Sequence, residues 1–505
     1  MGCQVSEILS EKGVKPVEIV SNLPLYAVII PIIGALLLIF IPEKDDEVRN
    51  PLTLITSIIT ATVVILIIQK VFAGNILSYK LVEIMPGLDF AFRVDPFGAL
   101  FGGVASILWV FTVLYAIGYM SFGHNRRRFF IFFLLSLSVT MGIALAANLF
   151  TLYLFYELLT LATYPLVIHE GQEKDHKAGL RYIIYSFSGA GLVLFALFAT
   201  FGFAGSLDFA QGGIFGEAVR TAPMALNIIF VSYILGFGVK AAIMPLHAWL
   251  PSAMVAPTPV SALLHAVAVV KSGVFGVLRV MYSVYGTQAL IDLNIGLYVI
   301  ILMSISIIVA SIIALKQDVL KRRLAFSTIS QLGYITLGAA LLTQLGLTGG
   351  LLHIVNHAVL KITLFFCAGA IITMTGKERI SELNGVGKRM PITMLAFTIG
   401  SIGMVGILPL NGFYSKWYMM LGGLEGHMPI IIVILMTSAV LNACYFFPII
   451  VAAFFKKGEF TPAKGIEAPV SMLLPIAVLA LTAIVFGIKL DLTIPFVQDV
   501  ARYLF

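Results

Sequence analysis

Runs of about twenty apolar residues alternate along this chain with short polar segments. Fourteen such runs can be placed, near 23–42, 51–69, 96–120, 129–147, 148–169, 182–204, 223–245, 253–278, 294–315, 324–346, 349–374, 391–421, 428–455 and 468–488. At 1.5 Å of rise per residue, a helix of that length covers the roughly 30 Å of hydrocarbon in a bilayer. The pattern predicts an all-α polytopic membrane protein of about fourteen transmembrane helices.

The charges between the runs orient the bundle. Of 32 Lys and Arg, nineteen fall in segments following odd-numbered runs and five in segments following even-numbered ones. Cytoplasmic loops carry the Lys/Arg excess. The odd loops are therefore expected to face the cytoplasm, or the matrix or stroma of an organelle, with both termini on the opposite face. Composition agrees: 60% of residues are hydrophobic and 11% charged, against about 45–50% and about 25% in soluble proteins. Mean hydropathy of +1.02 excludes a water-soluble enzyme. The net charge of +7 is a loop property and does not point to nucleic acid. Cys3, Cys367 and Cys444 form no Cys-x-x-Cys pair, so no iron–sulfur site, zinc ribbon or disulfide framework can be built in this chain. MGCQVS at the N-terminus matches an acylation pattern with only two specified residues, and a plain surface segment over 1–22 is the preferred reading.

Five ionisable residues remain inside the runs: Glu157, Lys240, Lys271, Lys361 and Lys416. A charge at the bilayer centre costs about 2.5–3.5 kcal/mol on the insertion scale, so each calls for a function or a partner. For Lys271 and Lys416 the alternative is snorkelling to a nearby span end. For Glu157 and Lys240 it is a purely structural ion pair. Histidines accompany the lysines. His353, His357 and Lys361 recur at every fourth residue, one stripe on a helix; His265 precedes Lys271 by six residues and His247 follows Lys240 by seven. Imidazoles and desolvated amines change protonation in the useful range, so such a row can pass protons. An i, i+4 His pair can also ligate zinc, but Ile354 stands where the zincin pattern needs Glu.

Proline and glycine predict breaks beside these charges. Pro245 and Pro251 follow Lys240, while Pro409 and Gly412 precede Lys416. Proline removes a helical hydrogen bond, and broken backbone at membrane depth is tolerated only against protein or a wet cavity. Transporters build ion sites this way.

Six segments carry a family resemblance: DPFGALF from Asp95, NLFTLYLFYELLTLATY, HAWLPSAMVAPTPVSALLHAVAVVKSG, ALKQDVLKRRLAFSTISQLGY, HIVNHAVLKITLFFCAG and PLNGFYSKW. Over about residues 95–455 the chain resembles the antiporter-like, proton-translocating subunits shared by respiratory complex I, multisubunit (Mrp-type) sodium/proton antiporters and membrane-bound energy-converting hydrogenases. The resemblance implies two inverted five-helix repeats, helices four to eight over 129–278 and nine to thirteen over 294–455, after three helices in 23–120 and before a last helix and tail over 468–505. It implies that Glu157 and Lys240 are a fifth-helix and seventh-helix pair, Lys271 an eighth-helix relay, Lys361 the central lysine of the second half and Lys416 the exit. His265, His353 and His357 fall on connecting positions. Ser252 departs from the family, many members having Asp there.

The resulting expectation is a subunit that relays protons along the membrane midplane. Its partners would be other membrane subunits, including further antiporter-like ones, and a peripheral redox arm holding any iron–sulfur, nickel–iron or flavin centre. The chain itself would hold no cofactor, metal or catalytic centre. Rival readings are a sodium-gradient antiporter subunit and a non-conducting scaffold. Gly376-Lys377 and Gly387-Lys388 continue with Glu378 and Arg389, so neither is a phosphate-binding loop. The setting is the cell membrane of a prokaryote or an organelle's inner membrane.

Overall fold

The computed structural model describes residues 17–458 and 467–505; the acylation motif and Cys3 lie outside them. Each apolar run coincides with a helix: α1 (Leu23–Ile39), α2 (Asp46–Phe72), α3 (Pro96–Met120), α4 (Arg126–Ala144), α5 (Leu149–Val167), α6 (Glu173–Ala204), α7 (Pro223–Lys240), α8 (Thr258–Ala266) with α9 (Val269–Arg279), α10 (Ile295–Leu315), α11 (Leu320–Ala340), α12 (Gln344–Thr375), α13 (Pro391–Val405) with α14 (Gly412–Glu425), α15 (Ile430–Phe455) and α16 (Val470–Ile488). A final helix, α17 (Ile494–Leu504), follows. Among the described residues eleven helical stretches are long and apolar enough to cross a membrane, the broken stretch Thr258–Asp292 counting as one, and α1 and α13 are shorter apolar helices. α11 misses that measure because Lys321, Arg322, Arg323, Ser327, Ser330 and Gln331 crowd its first half.

The all-α expectation needs one correction. A three-stranded sheet, β1 (Val17–Val20), β2 (Asn75–Met85) and β3 (Leu88–Val94), lies at one end of the bundle, with β1 parallel to β2 and β2 antiparallel to β3. Gly87, at φ +81°, makes the tight turn between β2 and β3. β3 is stitched to the α4–α5 junction by Ala147 N–H to the Ala91 carbonyl (3.0 Å) and Arg93 N–H to the Leu145 carbonyl (2.9 Å). Asn148 then caps α5, accepting from Thr151 N–H at 2.8 Å.

Three arginines assigned to loops are also buried. Arg49 and Arg279 are each 1% exposed and Arg323 8%. Each guanidinium has partners: Arg49 donates to the Glu43 carbonyl (2.7 Å), Arg323 to the Gln317 and Tyr445 carbonyls (2.8 and 2.9 Å), and Arg279 to Asp95, while the Nε of Arg49 and of Arg279 finds none. A count by parity alone therefore does not locate every charge.

The predicted breaks are present, with shifted edges. α7 ends at Lys240 itself, five residues before Pro245, and Pro251 lies in the single turn Trp249–Ser252. The freed Val239 carbonyl accepts from the Trp249 indole N–H at 2.6 Å. Pro409 lies in the 406–411 break, and Gly412 opens α14. A Cβ on Gly412 would meet the Gly403 carbonyl oxygen at 1.9 Å, so only glycine lets α14 restart there. A third break, at Val267 and Ala268, separates α8 from α9 and has no Pro or Gly to announce it.

α12 is the central helix, packed against α8, α11, α13, α14 and α16. α9 runs so close to the end of α7 that a Cβ on Gly273 would sit 2.3 Å from the Ala241 backbone nitrogen. Gly273→Ala is expected to destabilise the protein by about 1–3 kcal/mol through overpacking, read as a lower melting temperature in thermal unfolding. Gly191→Ala, where a Cβ meets nothing within 4 Å, is the matched control and should melt with the parent.

Candidate functional site

The ionisable residues form a row through the interior, and each is held differently. At one end Lys240 is fully buried and its Nζ lies 3.9 Å from Glu157 Oε1. The same ammonium sits 3.4 Å from the centroid of the Tyr156 ring and donates to the Tyr156 carbonyl. α7 ends at Lys240, so the side chain leaves a helix terminus, where cations are favoured by the exposed carbonyls. Glu157 is less buried than the sequence suggests: its side chain keeps 18% of its exposure. The pair therefore has one member in the interior and one at the flank of the bundle.

Lys271 lies in the first turn of α9 and His265 in the last turn of α8, on either side of the unannounced break. The Lys271 Nζ and both His265 ring nitrogens are buried without a hydrogen-bond partner. Both nitrogens of His357 are in the same state. Buried polar atoms are normally satisfied, so four imidazole nitrogens and an amine left open in one region mark an unusual interior. The groups lie within electrostatic reach of one another, His357 feeling Lys271, Lys361, His353 and His265.

His353 is tied down. Its Nδ1 is 2.8 Å from Ser415 Oγ and its Nε2 2.9 Å from Gln331 Oε1. Both His353 nitrogens are thus engaged, and its ring centroid lies 5.8 Å from that of His357, with no hydrogen bond between the two imidazoles. Lys361 donates to Ser327 Oγ (2.8 Å) and the Leu324 carbonyl (3.1 Å), and Tyr445 donates to the same Ser327 hydroxyl at 2.9 Å. At the far end Lys416 donates to the Met404 and Val405 carbonyls, 2.8 and 2.7 Å, capping the last turn of α13. Tyr334 spans the final gap: its ring stacks on His353 at 5.4 Å and lies 5.3 Å from the Lys416 ammonium. Neither Lys271 nor Lys416 snorkels, being 2% and 5% exposed.

His247 stands apart. It is half-buried in the segment after α7, edge-on to Phe326 at 6.0 Å, and joins none of the row. Burial alone does not make a histidine part of it either. His169, in the turn after α5, is 1% exposed, its Nε2 3.0 Å from the His124 carbonyl and its imidazole pushed down to about 4 by burial.

The polar side chains Ser327, Gln331, Tyr334, Ser415 and Tyr445 complete the row and were not singled out in the sequence. The first three lie in ALKQDVLKRRLAFSTISQLGY, where Gln331 in an apolar helix was the available signal. Asn356 and Asn411 suture the broken helix to α12: Asn356 Nδ2 donates to the Asn411 carbonyl (2.8 Å) and Asn411 Nδ2 to Asn356 Oδ1 (3.2 Å). Asp95 and Arg279 were likewise passed over. They form a bidentate pair at 2.5 and 2.7 Å, with Asp95 5% exposed, and Asp95 also caps α3 through Gly98 N–H at 2.8 Å.

A bundle of membrane-length helices with broken segments and a buried row of amines, imidazoles and hydroxyls defines an integral membrane protein of the ion-translocating class. A family model described as NADH:quinone oxidoreductase/Mrp antiporter, transmembrane, matches residues 146–442. The chain belongs to that family. It is 32% identical over 489 residues to NADH-quinone oxidoreductase subunit N of Desulforudis audaxviator (strain MP104C), covering 93% of this chain and 96% of the relative. It is 26% identical over 490 residues to an Na(+)/H(+) antiporter subunit of Bacillus subtilis (strain 168), covering 96% and 97%. The fold matches a chain of the membrane-bound sulfane sulfur reductase, an archaeal respiratory membrane complex, with a TM-score of 0.84 at 24% identity over 96% of this chain and 98% of that one.

Proposed function

We propose that this chain is the proton-translocating subunit of a multisubunit membrane complex, coupled to electron transfer in an attached redox arm. The observation that carries the reading is the row from Glu157 and Lys240 through Lys271, His265, His357, Lys361 and His353 to Lys416, in which successive groups are charged, paired or left open. Its two ends differ as a relay requires. Glu157, at the flank, is where a neighbouring subunit's field can act on Lys240. Lys416, on the carbonyls of a broken helix, is the exit. The chain would cross the bilayer about fourteen times as two inverted five-helix repeats, 129–278 and 294–455, with odd loops on the cytoplasmic face. His247 lies outside the row and has no step in it.

A gradient-driven antiporter is the second reading, favoured by the near end-to-end match to an Na(+)/H(+) antiporter subunit. Metal analysis of the purified complex separates the two: iron or nickel at stoichiometric levels supports redox coupling, and their absence supports the antiporter. Neutralising Lys240, Lys271, Lys361 and Lys416 together should abolish proton movement in reconstituted liposomes, measured with a pH-sensitive dye. Unchanged coupling in that variant would reduce the chain to a scaffold.

A further inference from the structure

A cavity of about 420 Å³ opens between α2, α3, α12, α16 and α17, away from the charged row. Its walls include Ile65, Gly103, Phe111, Val359 and Leu479, and its polar side chains are Gln69, Thr482 and Thr493. The volume lies within the roughly 300–1,000 Å³ typical of small-molecule sites. We infer that this groove holds one acyl chain of an anionic phospholipid, seated in the leaflet next to α17.

Four observations argue for that occupant. First, the groove opens sideways among membrane-length helices: Ile65 and Ile107 on its wall are each 41% exposed. At hydrocarbon depth such an opening meets lipid tails, since water finds no partners on an apolar wall. Second, the length fits one leaflet. On α3 the wall runs over the twelve residues from Leu100 to Phe111, a rise of about 16 Å at 1.5 Å per step, half of a roughly 30 Å core.

Third, Gln69 and Thr493 stand at one end, with Thr482 farther along α16, and that end is roofed by a helix of the interfacial type. Val497, Val500, Ala501 and Leu504 are the buried face of α17, and Phe496 stacks on Phe72, the last residue of α2, at 4.0 Å. Such amphipathic helices lie at the headgroup boundary. Fourth, two exposed lysines stand at the same end, Lys70 beside Gln69 and Lys489 between Phe486 and Leu492. Asp491 offsets part of their charge and leaves a net attraction for a phosphate or acidic headgroup. The site also touches the relay helix from behind: Val355 and Val359 line the groove on the same helix as His353, His357 and Lys361.

The test uses the intact complex extracted in mild detergent, with bound endogenous phospholipid counted by native mass spectrometry. The parent is expected to retain one anionic phospholipid on this chain. Val104→Phe, which fills the groove, should retain about tenfold less, and Lys70→Glu with Lys489→Glu should exchange the anionic headgroup for a zwitterionic one. A photoreactive residue replacing Ile107 in an otherwise unaltered chain should form a phospholipid adduct, which keeps the test open if Val104→Phe fails to assemble. The inference is overturned by a parent free of phospholipid, by equal retention in Val104→Phe, by an unchanged headgroup mixture in the lysine variant, or by an Ile107 adduct with a partner subunit. None of these readouts depends on proton movement.

Discussion

Lys240→Ala is expected to bring proton movement in reconstituted liposomes down to the background while the complex still assembles. Two unit charges 4 Å apart interact by about 4 kcal/mol at an effective dielectric of 20, and the Glu157–Lys240 separation is 3.9 Å. Making and breaking that contact can therefore change proton affinity by up to about a thousandfold, at 1.36 kcal/mol per tenfold. Alanine removes the amine, yet assembly survives because Glu157 is partly exposed and can take a proton or water. Lys240→Arg is the sharper variant. Arginine keeps the charge and the ion pair but does not deprotonate, so it should assemble like the parent and still fail to translocate. Normal flux in the arginine variant would show that Lys240 supplies only a field, and the relay assignment would fall.

The second large effect is expected at Asp95, away from the row. Removing one partner of a buried ion pair costs about 3–5 kcal/mol, because the other charge is left without compensation. In Asp95→Ala the guanidinium of Arg279, 1% exposed and set among Phe97, Phe209 and Phe275 at 4.9–5.0 Å, keeps its desolvation penalty and loses its carboxylate. Loss of the α3 cap adds about 1 kcal/mol. The expected result is a complex that melts far below the parent or loses this subunit on purification. Asp95→Leu combined with Arg279→Met should recover much of the stability, since replacing both charges by apolar groups of similar size is often neutral. A melting temperature for Asp95→Ala matching the parent's would remove the pair from any structural role.

The helices were legible because length and apolarity suffice to name a span, and the five interior charges because lipid makes each one anomalous. Other features depend on contacts that a linear pattern does not carry. β1 pairs with β2 across more than fifty residues of intervening chain, and four residues of VEIV show no alternation worth trusting. The break at Val267 and Ala268 has no Pro or Gly beside it, whereas Pro409 announces its own. Arg279 looked like a loop residue because counting charges by parity assigns it to one; its carboxylate partner stands 184 residues earlier in the chain. Ser327 and Ser415 resemble every other small polar residue in an apolar helix until the tertiary fold sets them against Lys361 and His353.

Lys416 differs from Lys240 in what a change of protonation would demand of it. An ammonium has three N–H groups, a neutral amine two, and Lys416 uses two, on the carbonyls of Met404 and Val405. Both bonds can persist in either form. On the proposed relay, Lys416 would turn over with no side-chain rearrangement, while Lys240 would lose or regain its opposite charge each time Glu157 changed protonation, keeping its bond to the Tyr156 carbonyl. In mechanical terms the proposed relay would have its variable contact at the Glu157 flank and a stationary one at Lys416.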